Sequence, residues 1–157
     1  MTFGNCTSLT SVTIPGTVTS IEVQAFWNCS SLTSITIPAS VTSIGSGVFQ
    51  GCTSLTSVKF SEGLTRIGDQ TFGKCNALET IEIPASVASI GNNAFKNCAK
   101  LRSIRCYANS STWQPRYICD SNTTVYYSYN PNHTHSYKSH VIKMSGCTSV
   151  SYTHLTL

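Results

Sequence analysis

From Leu32 to Leu55 the chain reads LTSITIPASVTSIGSGVFQGCTSL, and the last leucine restarts the cycle that the first one opened, 23 residues later. Stepping by 23 in both directions finds the same residue types: Phe3, Phe26, Phe49, Phe72 and Phe95, with Cys6, Cys29, Cys52, Cys75 and Cys98 three places after each. The apolar columns keep that step through Leu9, Leu32, Leu55, Leu78 and Leu101, and through Val12, Ile35, Val58, Ile81 and Ile104. They do so again through Ile14, Ile37, Phe60, Ile83 and Cys106, then Val18, Val41, Leu64 and Val87, then Ile21, Ile44, Ile67 and Ile90. Self-similarity at a fixed period of this size is the mark of a repeat architecture, in which no single unit can bury its apolar face and neighbours must stack.

Within each unit the segments SVTI, SITI, SVKF, TIEI and SIRC alternate, which predicts short strands with the aliphatic residues inward and Ser, Thr or charge outward. Pro15, Pro38 and Pro84 end these strands because proline has no N–H to give to a ladder. A second short extended piece such as VTSI follows, and Gly45, Gly68 and Gly91 then lead into what is expected to be a short helical stretch carrying the Phe and Cys. The fold class is therefore a repeat solenoid with short parallel β-strands and short helical turns, about five units long. The Phe and Cys columns are read as a structural ladder.

Composition narrows the function. Only 10% of the residues are charged, so the exposed positions are mostly neutral hydroxyls. The net charge of +4 is spread along the chain, and without clustered Lys and Arg among aromatics a nucleic-acid partner is not expected. No apolar run approaches the roughly 18 residues that cross a bilayer, so no membrane insertion is expected.

The pattern L-x-x-I-x-I-P-x-x-V-x-x-I-G-x-x-A-F-x-x-C over residues 3–107 resembles the leucine-rich repeats of BspA-like surface proteins. That resemblance implies a leucine-rich-repeat solenoid that is secreted or attached to the cell surface. It also implies a non-enzymatic protein that adheres to host proteins or other cells, with no particular ligand. Departures are local: Ser61 and Tyr107 stand where the strand-ending proline is expected.

The domain organisation expected from this is a solenoid over residues 1–107, an irregular cap over 108–130, a disordered start of a following module over 131–149, and an artefact over 150–157. The cap carries Trp113, Pro115, Tyr117, Tyr126, Tyr127 and Tyr129 and loses the period. Residues Val150 to Leu157 read as the translation of a transposase-type sequencing adapter. Because Met1 opens in the middle of a unit, an N-terminal portion with a signal peptide is expected to have been lost.

Reactive groups have structural readings. The column cysteines are small, frequently buried hydrophobes, and five in a row cannot all pair, so buried thiols are expected. Cys106 and Cys119 are the best candidates for one disulfide. His133, His135, His140 and Cys147 match zinc ligands in type but in no closed spacing, and no metal or other cofactor is expected. Every histidine lies beyond the repeats, no G-x-S-x-G elbow occurs, and Glu79 and Glu82 lack the geometry of an acid–base pair, so no enzyme is expected.

What remains is the exposed strand face. It carries Ser11, Ser34, Ser57, Thr80 and Ser103 in one column and Thr13, Thr36, Lys59, Glu82 and Arg105 in the other. The second column varies between units and is expected to set specificity for a protein or cell-surface ligand. A structural spacer and an intracellular interaction scaffold are the rival readings.

Overall fold

The computed structural model describes residues 3–107, 118–120, 122–127 and 140–142. Each 23-residue unit makes one coil of a parallel β-solenoid with three sides. The first side holds β2 (Ser34–Ile37), β4 (Ser57–Phe60), β6 (Thr80–Ile83) and β8 (Ser103–Cys106). The second holds the two-residue strands β1 (Ser20–Ile21), β3 (Ser43–Ile44), β5 (Arg66–Ile67) and β7 (Ser89–Ile90), joined in one sheet in the order β1-β3-β5-β7. All these pairings are parallel, and Ser34 faces Ser57, Thr80 faces Ser103 and Ser43 faces Arg66. That spacing is the sequence period made visible as register.

The third side is made of turns, and here the expected helical stretch is corrected: among the described residues no segment is helical. Two residues in each unit hold the left-handed conformation. One column is Gln24 (φ 56°), Gly47 (64°), Gln70 (52°) and Asn93 (57°), and the other is Asn5, Asn28, Gly51, Lys74 and Asn97. Left-handed residues at a regular spacing break an α-helix. The N–H groups that a helix would turn back on itself are given to the next coil instead: Phe26 to Val48 O (3.0 Å), Phe49 to Thr71 O and Phe72 to Ala94 O (both 2.8 Å).

The core runs down the axis as continuous columns. Leu32, Leu55, Leu78 and Leu101 are buried, as are Ile44 and Ile67. The five phenylalanine rings stack with centroids 5.4 to 5.5 Å apart and planes within 14° of parallel. Gly68 sits where backbone meets backbone: a Cβ there would come within 2.6 Å of the Gly45 carbonyl carbon, which accounts for the glycine column.

The cysteine column has a specific role. The thiol of Cys29 donates to Phe3 O at 3.1 Å, Cys52 to Phe26 O and Cys75 to Phe49 O at 3.3 Å, and Cys98 to Phe72 O at 3.0 Å. Each thiol thus bonds to the coil before its own. A parallel set of threonine hydroxyls does the same at the coil corners, Thr33 to Thr10 O, Thr56 to Thr33 O, Thr42 to Thr19 O and Thr65 to Thr42 O.

The first side is interrupted, and proline marks the breaks. Ser61 N–H donates to Ile37 O (3.0 Å) and Tyr107 N–H to Ile83 O (2.9 Å), and those coils pair fully, β2 with β4 and β6 with β8. Pro38 and Pro84 occupy the same column and have no N–H. Ser11–Ile14 is not a strand, and β4 and β6 belong to separate sheets. The strand expected over residues 11–14 is therefore corrected to extended but unladdered chain.

Within the segment read as an irregular cap, the described residues continue the stack. Phe95 N–H donates to Ile118 O (2.6 Å), and β9 (Thr124–Tyr127) pairs in parallel with β8. Ser103 faces Thr124, two residues short of the period, so a compressed sixth coil follows the fifth. Its Ile118 and Val125 are buried. Backbone of β10 (His140–Ile142) then pairs antiparallel with β9. His133, His135, Cys147, Trp113, Pro115, Tyr117, Tyr129 and Val150 to Leu157 lie outside the described residues.

Candidate binding surface

The alternation of each first-side strand decides which residues meet solvent. In β2 and β6 the first and third residues are exposed while the second and fourth are buried. Of the ten residues singled out from the sequence, Ser11, Thr13, Ser34, Thr36, Lys59, Thr80, Glu82 and Arg105 are exposed, and Ser57 and Ser103 are half-buried. Register sets Thr36 beside Lys59 and Glu82 beside Arg105. The two columns are thus gathered on one face, divided between β4 and β6.

Across that face the Arg105 guanidinium meets the Glu82 carboxylate at 3.3 Å, with side chains 62% and 59% exposed. A pair so open to water contributes little to stability, so its charges remain available to another molecule. Lys59 has no carboxylate within ion-pair distance among the described residues.

Two features escaped the sequence reading. Tyr126 faces Arg105 through the β8–β9 pairing and extends the variable column by one residue. Only the shortened last coil hid it. Glu79 and Arg102 are exposed in the column immediately before the strands, where earlier coils carry Thr10, Thr33 and Thr56, and Arg102 N–H donates to Glu79 O at 2.9 Å. That column also varies between units, and its 23-residue step was open to view.

The buried column thiols Cys29, Cys52, Cys75 and Cys98 are poor nucleophiles. Burial raises the Cys52 and Cys98 pKa values from 9.0 to about 12, and it raises those of Cys29 and Cys75 in the same direction. A thiol held protonated is neither a nucleophile nor a metal ligand. For Cys106, burial raises the pKa first and the charge of neighbouring Cys119 adds to it, so these two residues do come together at the end of the stack. Among the described residues no three His, Cys, Asp or Glu side chains gather as metal ligands would. No helix among them is long and apolar enough to cross a membrane.

A three-sided stack of short parallel strands with one exposed hydroxyl-rich face defines a leucine-rich-repeat solenoid. The family model for the BspA-type leucine-rich repeat region matches residues 1–150 in six copies, and the chain belongs to that family. The match reaches past residue 107, as the sixth coil does.

Among solved structures, a leucine-rich cell surface protein from Faecalibacterium prausnitzii is 38% identical over 59% of this chain, with a TM-score of 0.57. A leucine-rich repeat protein from Bacteroides capillosus is 40% identical over 57% of this chain, with a TM-score of 0.50. The alignments span 24% and 63% of those two proteins. The pneumococcal vaccine antigen PcpA shares the fold at a TM-score of 0.67, with 16% identity over 75% of this chain and 30% of PcpA. No curated protein matches the sequence.

Proposed function

We propose that this chain is a binding module of a bacterial surface or secreted protein that adheres to proteins on other cells through its first-side strand face, without chemistry of its own. The observation that carries this reading is the face itself. It is a column of hydroxyl residues, Ser11, Ser34, Ser57, Thr80 and Ser103, divided between β4 and β6, beside a column that changes from Thr13 and Thr36 to Lys59, Glu82 and Arg105. The constant column provides a flat polar platform, and the variable one provides charges that can match a partner. The surface location is supported by the F. prausnitzii relative, which is a cell surface protein.

Beads coated with the chain and washed over epithelial cells or matrix proteins test this. Retention is expected, and replacing Lys59, Glu82 and Arg105 together with serine is expected to abolish most of it. If that triple variant is retained as well as the native chain, the strand face is a spacer and the reading is wrong.

A further inference from the structure

The seam between β4 and β6 differs from the rest of the strand face. The inward residues Ile35 and Ile37 of β2 and Ile81 and Ile83 of β6 are buried, the last two although they border the seam. Val58 and Phe60 of β4, one coil before Ile81 and Ile83, are half-buried instead. Phe60 packs edge-on against Phe72 at 6.1 Å. Ile37 O takes the Ser61 N–H, and one coil on Pro84 has no N–H to give to the corresponding Phe60 carbonyl. Lys59, between Val58 and Phe60, is exposed and has no carboxylate within ion-pair distance among the described residues.

These groups lie together: an apolar opening, an open carbonyl and an uncompensated ammonium. We infer that the seam is the anchor point on the strand face, taking from a partner protein an extended segment with an acidic residue beside an aromatic or branched aliphatic one. The apolar side chain covers Val58 and Phe60, a main-chain N–H satisfies the Phe60 carbonyl, and the carboxylate meets Lys59. A small apolar contact ringed by polar groups is how interfaces concentrate affinity. This rests on the strand face being the binding surface, and it adds where on that face the partner is gripped.

The test is to pan a phage-displayed library of random dodecapeptides over the immobilised full chain. Kd values of the enriched peptides are then measured by fluorescence anisotropy against the native chain and four variants. Lys59→Glu reverses the charge. Pro84→Ser supplies the missing N–H, as Ser61 does in its coil, and closes the seam. Thr13→Glu alters the face two coils before Lys59, and Arg66→Ser alters the second side.

The expected result is enrichment of peptides with Asp or Glu within two residues of Phe, Leu, Ile or Val. Their affinity should fall by about tenfold or more on Lys59→Glu and on Pro84→Ser, with none lost on Arg66→Ser. The Pro84→Ser chain should melt no lower than native, which separates loss of binding from loss of fold. Peptides weakened by Thr13→Glu but indifferent to both seam variants would overturn the seam while keeping the strand face. Peptides weakened only by Arg66→Ser would overturn both, and a library with no enriched peptide would overturn the seam.

Discussion

Raising the pH from 7 to 10 should lower the stability of the fold through the thiol column, because the unfolded thiols ionise while the folded ones keep their protons. Cys52 and Cys98 are buried, donate to Phe26 O and Phe72 O, and have pKa values raised from 9.0 to about 12, chiefly by burial. The folded state holds these protons more tightly than the unfolded one. Their contribution is therefore complete below pH 9 and is lost as the pH rises from 9 towards 12. At pH 10 the unfolded thiol is mostly ionised and the folded one is not, which costs on the order of 1 to 2 kcal/mol per thiol, or about 3 kcal/mol for the two. For a chain of this length that is a fall in Tm of about 6 to 12 °C. Cys75, raised in the same direction, adds to it. The assay is thermal unfolding followed by circular dichroism with reductant present, from pH 7 to pH 10, for the native chain and a Cys52→Ala, Cys98→Ala variant. The variant should melt lower at pH 7, having lost two hydrogen bonds and core volume, yet lose less Tm between pH 8 and pH 10. Equal losses in the two chains would refute the thiol ladder as a source of stability, because tyrosine and lysine titration is common to both.

Two further outcomes follow from the stacking. Ser61→Pro removes the N–H that reaches Ile37 O at 3.0 Å and should uncouple β4 from β2, lowering stability by about 1 to 3 kcal/mol in urea unfolding. A variant that unfolds at the native urea midpoint would show that proline does not set the sheet breaks. Gly68→Ala drives a methyl group into the Gly45 backbone at 2.6 Å and should cost more than about 2 kcal/mol, whereas Ala at exposed Gly16, with open space around it, should be near neutral. Comparing the two melts checks this.

The period, the inward columns and the strand register were legible because every coil repeats them, so four or five observations of each position were available in one chain. Pro38, Pro84, Ser61 and Tyr107 were visible too. What they do to the sheet was not, since an N–H matters only once a carbonyl stands opposite it. The third side was misread as helical for a related reason. Ala-Phe at positions such as Ala25 and Phe26 suits a helix locally, but the left-handed residues and the donation of each N–H to the next coil are properties of the stack. The sixth coil was hidden because Thr124 follows Ser103 by two residues fewer than the period, which erases the spacing while the pairing survives. On the strand face, the sequence identified both columns, and the structure added Tyr126, Glu79 and Arg102 as their neighbours.

The central claim, that partners are held on the first side, is tested most directly by lysine footprinting on the chain while it is bound to the cells or matrix coat that retain it. Lys59 lies on the strand face, whereas Lys74 and Lys96 lie on the turn side, where Lys74 N–H donates to Lys96 O, and all three are exposed. Acetylation followed by mass spectrometry should find Lys59 protected on binding and Lys74 and Lys96 labelled as in the free chain. Protection of Lys74 and Lys96 with Lys59 labelled freely would place the partner on the turns and contradict the account.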